Sequence, residues 1–348
     1  MVELYEYEIA KAANILATQL FNLKTGETII ITADTESDSR VVNAAAAAAF
    51  AAGAKPMVIW LASPLEFSKG ADPMLPIEAL TAALKETDAW LEFNSKGLLY
   101  STPYEIAERE NKKLRYLCLD GMDVDMMVRC LGRVDYPALK MFETKLRAMT
   151  KAAKHMKITT PAGTDVEFDN NSKNPMTLAL GYADTPGSHM LGGQIGWAPE
   201  FDSINGDIVF DGFLMPVALL KEPVKIGVKK GKIVNIEGGR EATEFEAWLR
   251  SWKDPRMFKM AHVCYGCNPG AKLTPSVLEM ERIWGATEWG IGYVGPMLTA
   301  DGKPIDAPCH SDGLCQNSSV WLDNKQIMDK GKMIHPELSK LAKRLGKE

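Results

Sequence analysis

The sequence predicts an α/β protein: an N-terminal doubly wound parallel-sheet domain, then a β-rich α+β domain that carries a metal site. Two observations lead to this prediction. In residues 1–155, short β-branched runs alternate with helical patterns, which is typical of a parallel sheet covered by helices. In residues 156–348, hairpin signals and glycine-rich stretches replace that alternation. We therefore expect two domains, 1–155 and 156–348.

Local signals account for each element of the first half. The β-branched run over 27–33 predicts a buried strand, and Asp38 can cap the alanine-rich helix that follows over 39–52. Thr102, Pro103 and Glu105 form a capping box that predicts a helix over 103–111. The other predicted elements are strands 56–61, 89–93 and 115–119 and helices 76–86 and 136–155. Neither G-x-G-x-x-G nor a P-loop follows any of these strands, so nucleotide binding is not supported.

The second half predicts mainly strands and irregular segments. A hairpin is predicted from 157–160 to 166–169, a strand over 207–210, a second hairpin from 224–228 to 233–236, and an amphipathic helix over 241–252. Residues 181–205 and 268–308 read as long irregular stretches rich in glycine and proline. Loops of that length inside a compact domain are usually functional, so we expect the chemistry in this half.

Composition limits the possible partners and surroundings. The chain has 348 residues, 46% of them hydrophobic, and a net charge of −5, which provides no basic surface for nucleic acid. The longest apolar run, residues 44–54, is too short to span a membrane. The acidic residues 1–6 open a helix and do not resemble a signal peptide. Six cysteines without framework spacing fit free thiols in a reducing cytoplasm, where we expect the protein.

The histidines of the second half provide the strongest chemical signal. His310 and Asp312 stand two residues apart on a predicted extended segment, so both side chains point to one face and can hold one metal ion. His262 completes a two-histidine, one-carboxylate set, which suits non-haem Fe(II) and leaves positions open for O₂ and substrate. His189 lies in the glycine-rich stretch 185–193, where it is either a general base or substrate ligand or an ordinary surface histidine.

The cysteines allow a different metal hypothesis. Cys264-x-x-Cys267 could form half of a structural zinc site, with Cys309 and Cys315 as the other half. Structural zinc prefers two short matched knuckles, whereas five residues separate Cys309 from Cys315, so we favour small buried thiols. His155 is predicted to end a helix and to interact with the helix C-terminal dipole.

Three runs of the second half resemble the aminopeptidase T family of metallopeptidases. M-A-H-V-C-Y-G-C-N-P-G-A at 260–271 is similar to that family's L-G-E-x-x-x-G-x-N-P-G-A. G-A-T-E-W-G-I-G at 285–292 is similar to its G-T-x-H-I-A-x-G, and G-Q-I-G-W-A-P at 193–199 to its G-E-x-x-T-A-P. The H-x-D pair matches as well, and the α/β first half agrees with the family in layout.

The departures from this pattern bear on the predicted function. The peptidases' two-metal site needs two glutamates and a histidine where this chain has His262, Gln194 and Glu288, so a dinuclear hydrolytic site is not expected. The 2,5-dihydroxypyridine 5,6-dioxygenases, relatives of that family, keep H-x-D and have a histidine in place of the first glutamate. This sequence resembles them around all three metal candidates, in G-Y-A-D-x-P-G at 181–187 and in L-L-x-S at 98–101. The resemblance implies that His262, His310 and Asp312 are iron ligands.

The resemblance weakens in the substrate pocket. Those dioxygenases have a histidine where this chain has Tyr100 and, two residues before G-Y-A-D, a glutamate where this chain has Ala179. That glutamate is placed to hold the ring nitrogen, so another hydroxypyridine or a hydroquinone-like phenol is expected here as much as dihydroxypyridine. We expect acid–base roles for Tyr100 and His189. The expected substrate-binding residues are Ser101, Ala179, Gln194, Glu288 and Asn268.

These observations predict a mononuclear Fe(II)-dependent, extradiol-type ring-cleaving dioxygenase. Its substrates would be a small hydroxylated aromatic and O₂, and the resemblance implies a homo-oligomer. Two alternatives stay open: a metal-dependent aminopeptidase of the aminopeptidase T type, and a non-catalytic binding module with the same fold. Metal content separates the three, because they would hold one iron, two divalent ions or none.

Overall fold

The computed structural model describes residues 5–347 and contains two compact units. Unit 1 comprises Met1–Val134 and Ala179–Gly192, and unit 2 comprises Asp135–Leu178 and Gly193–Glu348. Residues 1–4, where a helix was predicted to open, lie outside the described part. None of the helices within residues 5–347 has the length and apolar character needed to cross a membrane.

The chain alternates short helices with twenty strands over the described residues. The helices are α1 (Glu6–Ile15), α2 (Ser39–Ala51), α3 (Ile77–Glu86), α4 (Thr102–Glu110), α5 (Val124–Met126), α6 (Tyr136–Ala152), α7 (Arg240–Ser251), α8 (Val277–Met280) and α9 (Pro336–Arg344). The first ten strands are β1 (Thr28–Asp34), β2 (Lys55–Leu61), β3 (Ala89–Glu92), β4 (Arg115–Cys118), β5 (His155–Thr159), β6 (Asp165–Asp169), β7 (Met176–Ala179), β8 (Gly187–Met190), β9 (Gln194–Trp197) and β10 (Asn205–Phe210). The others are β11 (Phe213–Leu214), β12 (Ala218–Leu219), β13 (Val224–Lys229), β14 (Lys232–Gly238), β15 (Met260–Gly266), β16 (Thr287–Val294), β17 (Ile305–Cys315), β18 (Ser319–Leu322), β19 (Lys325–Asp329) and β20 (Lys332–Met333).

Unit 1 is built on a five-stranded parallel sheet in the order β2-β1-β3-β4-β8. The predicted cap of α2 is confirmed, because the Asp38 side chain accepts a hydrogen bond from the Arg40 N–H at 2.9 Å. The cap of α4 differs from the prediction by one residue. Ser101 Oγ accepts the Tyr104 N–H at 3.5 Å, while the Thr102 N–H donates to Asp72 at 2.9 Å.

Unit 2 contains two large antiparallel sheets. One has eight strands in the order β14-β13-β10-β6-β5-β18-β19-β20, and the other has seven in the order β12-β11-β17-β16-β15-β9-β7. The rings of Phe168 on β6 and Trp289 on β16 meet edge to face at 5.5 Å. A Cβ on Gly313 would lie 2.4 Å from the ring of Phe210 on β10. The face of the seven-stranded sheet that carries Trp289 and Gly313 therefore packs on the eight-stranded sheet. Because side chains alternate along a strand, the even-numbered positions of β15, β16 and β17 lie on the opposite face.

The predicted fold class is confirmed: a parallel α/β sheet comes first, and large antiparallel sheets follow. The unit boundary lies between Val134 and Asp135 and not after residue 155. The reason is that α6 packs within unit 2, where the ring of its Phe142 lies 4.7 Å from that of Trp284. Residues 179–192 belong to unit 1 because β8 pairs with β4 as the last strand of its sheet.

Three local predictions are corrected. The stretches 181–205 and 268–308 are not irregular throughout, because they contain β8, β9 and β16. β16 is buried on both faces, so it lacks the polar alternation that marks a half-exposed strand. His155 begins β5 and does not end a helix; its Nδ1 lies 2.8 Å from Asp169 Oδ1.

Candidate metal centre

Three adjacent strands of the seven-stranded sheet bring the predicted metal ligands together. His262 on β15 pairs with Gly290 on β16, and Gly290 pairs with Asp312 on β17. His310 lies two residues before Asp312 in the same strand and therefore on the same face. Because Gly290 has no side chain, the space between His262 and Asp312 is not filled by the middle strand. A Cβ on Gly290 would lie only 2.4 Å from His262 Nδ1. The predicted extended segment that carries His310 and Asp312 is confirmed as β17.

The ligand atoms of these three side chains converge. His310 Nε2 lies 2.9 Å from Asp312 Oδ1, and His262 Nε2 lies 3.5 Å from the same oxygen. The two imidazole rings are nearly parallel, with centroids 5.0 Å apart and an interplanar angle of 18°. The three offered atoms all lie within 4.8 Å of one another, which is close enough for one ion to contact all of them.

A backbone contact sets the orientation of His310. Its Nδ1–H donates to the Tyr293 carbonyl at 2.7 Å, which leaves Nε2 as the nitrogen with the lone pair. Metal-binding histidines commonly use their second nitrogen in this way. A lone pair 2.9 Å from a carboxylate oxygen is repulsive unless a proton or a cation accompanies the pair. The donor set therefore fits a cation.

The two carboxyl groups of the site, Asp312 and Glu288, differ in the direction in which their pKa values are shifted. Burial acts against the ionised form of Asp312, but His310 and His262 outweigh it and hold the pKa of this carboxyl well below its usual range. Burial likewise opposes the charged form of His310, yet Asp312 raises the pKa of its imidazole. Burial, reinforced by Asp312, raises the pKa of Glu288 well above its usual value. The pKa values of the two carboxyl groups are therefore displaced in opposite directions, that of Asp312 downward and that of Glu288 upward.

Glu288 lies within this group and not at its periphery. Its side chain is almost fully buried, and its Oε1 and Oε2 lie 3.0 and 3.2 Å from His262 Nε2. Cys264, its cross-strand partner, completes a second group of ligand atoms with His262 and Glu288. Burial and the neighbouring Glu288 carboxyl raise the pKa of the Cys264 thiol well above its ordinary value, so it stays protonated and is a poor ligand.

A polar network next to these residues was missed by the sequence analysis. Glu281 Oε2 accepts hydrogen bonds from Gln194 Nε2 at 3.0 Å and from Arg282 at 3.1 Å. Arg282 is fully buried, and burial raises the pKa of Glu281 to about 8 although Arg282 opposes the shift. The signal was present in the sequence as two adjacent residues of opposite charge directly after α8.

The remaining predicted pocket residues have contacts of their own. Asn268 is buried, and its Oδ1 accepts the Gly270 N–H at 2.9 Å, which stabilises the turn after β15. Ala179 is the last residue of β7 and is partly exposed. Substrate contacts of both residues stay predictions.

Three further predicted pocket residues belong to unit 1, as Ala179 does. Ser101 caps α4, and Tyr100 before it has a positive φ of 69°, a left-handed conformation that is uncommon for a bulky side chain. Tyr100 is 42% exposed. His189 lies on strand β8 and not in a loop, and its Nε2–H donates to the Thr185 carbonyl at 2.8 Å. Their acid–base and substrate roles stay predictions.

Fold and site together define a class: two-unit α/β proteins in which neighbouring antiparallel strands present two imidazoles and a carboxylate as a candidate metal centre. The chain belongs to the 2,5-dihydroxypyridine 5,6-dioxygenase family, whose model matches residues 13–335. The resemblance recognised in the sequence is thereby confirmed.

Individual relatives agree with this assignment. The chain is 27% identical over 203 residues to the 2,5-dihydroxypyridine 5,6-dioxygenase of Pseudomonas putida, a match that spans 55% of this chain and 57% of that enzyme. The solved structure of the 2,5-dihydroxypyridine dioxygenase from P. putida superposes with a TM-score of 0.76 at 22% identity, covering 97% of this chain and all of that one. Aminopeptidase T from Thermus thermophilus superposes with a TM-score of 0.67 at 14% identity, covering 95% and 100%. The two structural matches show a shared fold.

Proposed function

We propose that the protein is a mononuclear Fe(II)-dependent, extradiol-type ring-cleaving dioxygenase that acts on a small hydroxylated aromatic and O₂. The observation that carries the proposal is the convergence of His262, His310 and Asp312 on one face of a sheet. Membership of the 2,5-dihydroxypyridine 5,6-dioxygenase family supports the reaction class. From the composition and the resemblance we also propose a cytoplasmic homo-oligomer.

The donor set suits the proposed metal. Two imidazole nitrogens and one carboxylate oxygen are the ligands typical of non-haem Fe(II) oxygenases. When bound, the iron would supply the electronic coupling between an electron-rich ring and O₂ that neither reactant achieves alone. Tyr293 fixes the ring of His310 through its carbonyl, so the site is preorganised for a cation.

The chain's own groups would bind the ring and move protons. Because His189 Nε2–H donates to Thr185, its Nδ1 is the nitrogen able to accept a proton from a substrate hydroxyl. Tyr100 is the second proposed acid–base group, and its left-handed backbone fits a residue held in place for function. Glu281 holds the amide nitrogen of Gln194, which leaves the amide oxygen to accept a hydrogen bond from the substrate.

A metal-dependent aminopeptidase is the second candidate, favoured by the fold shared with aminopeptidase T. The residues at the three altered motif positions, Gln194, His262 and Glu288, argue against it. A peptidase of that type would load two divalent ions and release an amino acid from dipeptides, which provides a direct distinction from an iron oxygenase.

The test is anaerobic purification with Fe(II), followed by iron analysis and O₂-uptake assays across hydroxypyridines and dihydroxybenzenes. We expect about one iron per chain and O₂ uptake with at least one ring. His262→Ala and Asp312→Ala should lose iron while keeping the wild-type fold by circular dichroism, because removing one of three ligands removes much of the affinity. His155→Ala, a partly exposed histidine on β5, is the matched control and should retain iron. Full iron and full activity in Asp312→Ala would contradict the proposal.

A further inference from the structure

Glu288 is a buried carboxyl whose neighbours need explanation. Its side chain is only 1% exposed. Within residues 5–347 it pairs with the imidazole of His262 and not with a lysine or arginine. It also hydrogen-bonds to the carboxyl of Asp312. Burying two carboxyl groups in contact is unfavourable unless a proton or a cation lies between them. From the sequence we expect Glu288 to orient substrate, whereas in the structure it contacts two proposed metal ligands, His262 and Asp312.

The atom that Glu288 contacts distinguishes two roles. A carboxylate that merely orients a metal-binding histidine bonds to the ring nitrogen that does not hold the metal, as the Tyr293 carbonyl does for His310. Glu288 instead contacts His262 Nε2, the nitrogen that also faces Asp312 at 3.5 Å. His262 Nδ1 faces Gly290. One nitrogen cannot both bind a metal and donate a proton to Glu288. If Nε2 binds the metal, the Glu288 carboxylate therefore lies beside the metal position and cannot act as an acceptor that orients the ring.

The distances fit a shared ion. Ligand atoms bound at about 2.1 Å and at right angles to each other stand about 3 Å apart. Glu288 Oε1 lies 3.0 Å from His262 Nε2, and Asp312 Oδ1 lies 2.9 Å from His310 Nε2. All four side chains come from one sheet face on β15, β16 and β17.

We propose that Glu288 is a fourth protein ligand of the metal centre, which makes it a two-histidine, two-carboxylate site. Two carboxylates and two neutral imidazoles balance the charge of a divalent ion, whereas Asp312 alone leaves one positive charge uncompensated. This inference rests on the metal centre of the proposed function.

The experiment measures metal binding and not turnover. Co²⁺ and Fe²⁺ affinities are measured anaerobically by competition with a chelator, and the visible spectrum of the Co²⁺-loaded protein reports the ligand set. The variants are Glu288→Gln, which keeps the shape and removes the charge, and Glu288→Asp, which restores a carboxylate on a shorter side chain. Glu281→Gln is the matched control, a nearby half-buried carboxyl within electrostatic reach of the site but bonded to Gln194 and Arg282. Circular dichroism of the metal-free variants verifies folding.

Glu288→Gln should bind both ions ~100-fold or more weakly and change the Co²⁺ spectrum, because loss of a ligand exceeds the usual 10- to 100-fold effect of an outer group. Glu288→Asp should recover part of the affinity, and Glu281→Gln should keep the wild-type spectrum. An unchanged Co²⁺ spectrum in Glu288→Gln overturns the inference, even with weaker binding, since Glu288 would then only orient His262. If Glu288→Gln does not fold, Glu288→Ala takes its place, and an unchanged Co²⁺ spectrum in that variant overturns the inference in the same way. His310→Ala with wild-type affinity would instead defeat the proposed metal centre itself.

Discussion

Gly290→Ala tests whether the gap in the middle strand holds the metal ligands in place. A Cβ at this position would lie 2.4 Å from both Nδ1 and Cε1 of His262, about 1 Å short of ordinary contact. The backbone of Gly290 is outside the left-handed region, so the substitution adds no conformational strain of its own. The whole effect therefore acts through the ring of His262.

The expected magnitude has two parts. Forcing a methyl group into a packed site costs ~1–3 kcal/mol, while replacing glycine in a compatible conformation gains ~0.4–1 kcal/mol. The metal-free variant should thus lose about 1.3 kcal/mol of unfolding free energy, within a range of about 0–2.6 kcal/mol. Metal affinity should fall more clearly, by ~10- to 100-fold, because His262 must move away from Asp312.

The assay is urea unfolding of the metal-free protein together with chelator competition for Fe²⁺. Gly295→Ala is the control, because a Cβ there meets only Met297 Cγ at 3.9 Å and the backbone φ of −64° suits alanine. It should match the wild type in both measurements. Wild-type metal affinity in Gly290→Ala would refute the reasoning. Either His262 would then not be a ligand, or the added methyl group would not displace its ring.

Two further predictions concern the substrate pocket and the first unit. Ala179→Glu should raise kcat/KM for 2,5-dihydroxypyridine relative to a nitrogen-free hydroxylated ring by ~10- to 150-fold. That factor corresponds to one hydrogen bond to a charged group. A wild-type protein that already prefers dihydroxypyridine by a wide margin would contradict this prediction. In unit 1, burial, reinforced by Asp120, raises the pKa of Glu92 to about 8. Between pH 4.5 and about 8 the folded state keeps a proton on Glu92 that the unfolded chain has released. The free energy of unfolding should therefore fall as the pH rises through this range. Glu92→Gln should flatten that decline in urea titrations of the metal-free protein.

Local sequence signals were enough for much of the fold. The β-branched run of β1 and the cap at Asp38 lie where the structure has them, because both depend on residues adjacent in the chain. The pairing of His310 with Asp312 on one face follows from their two-residue spacing in an extended strand. His262 was predicted as the histidine that completes a two-histidine, one-carboxylate set, and the family resemblance supported that choice.

The tertiary structure decided what depends on strand register and packing. Gly290 lies between His262 and Asp312 only because β16 pairs with both neighbouring strands in this register, and the same register brings Glu288 against His262 Nε2. The strands β8 and β16 carried no readable pattern. β16 is buried on both faces, which removes the polar alternation, and β8 is a half-exposed strand that is held by its pairing with β4. A single sequence contains spacing along each strand but not the offset between strands, because the offset results from packing of side chains far apart in the chain.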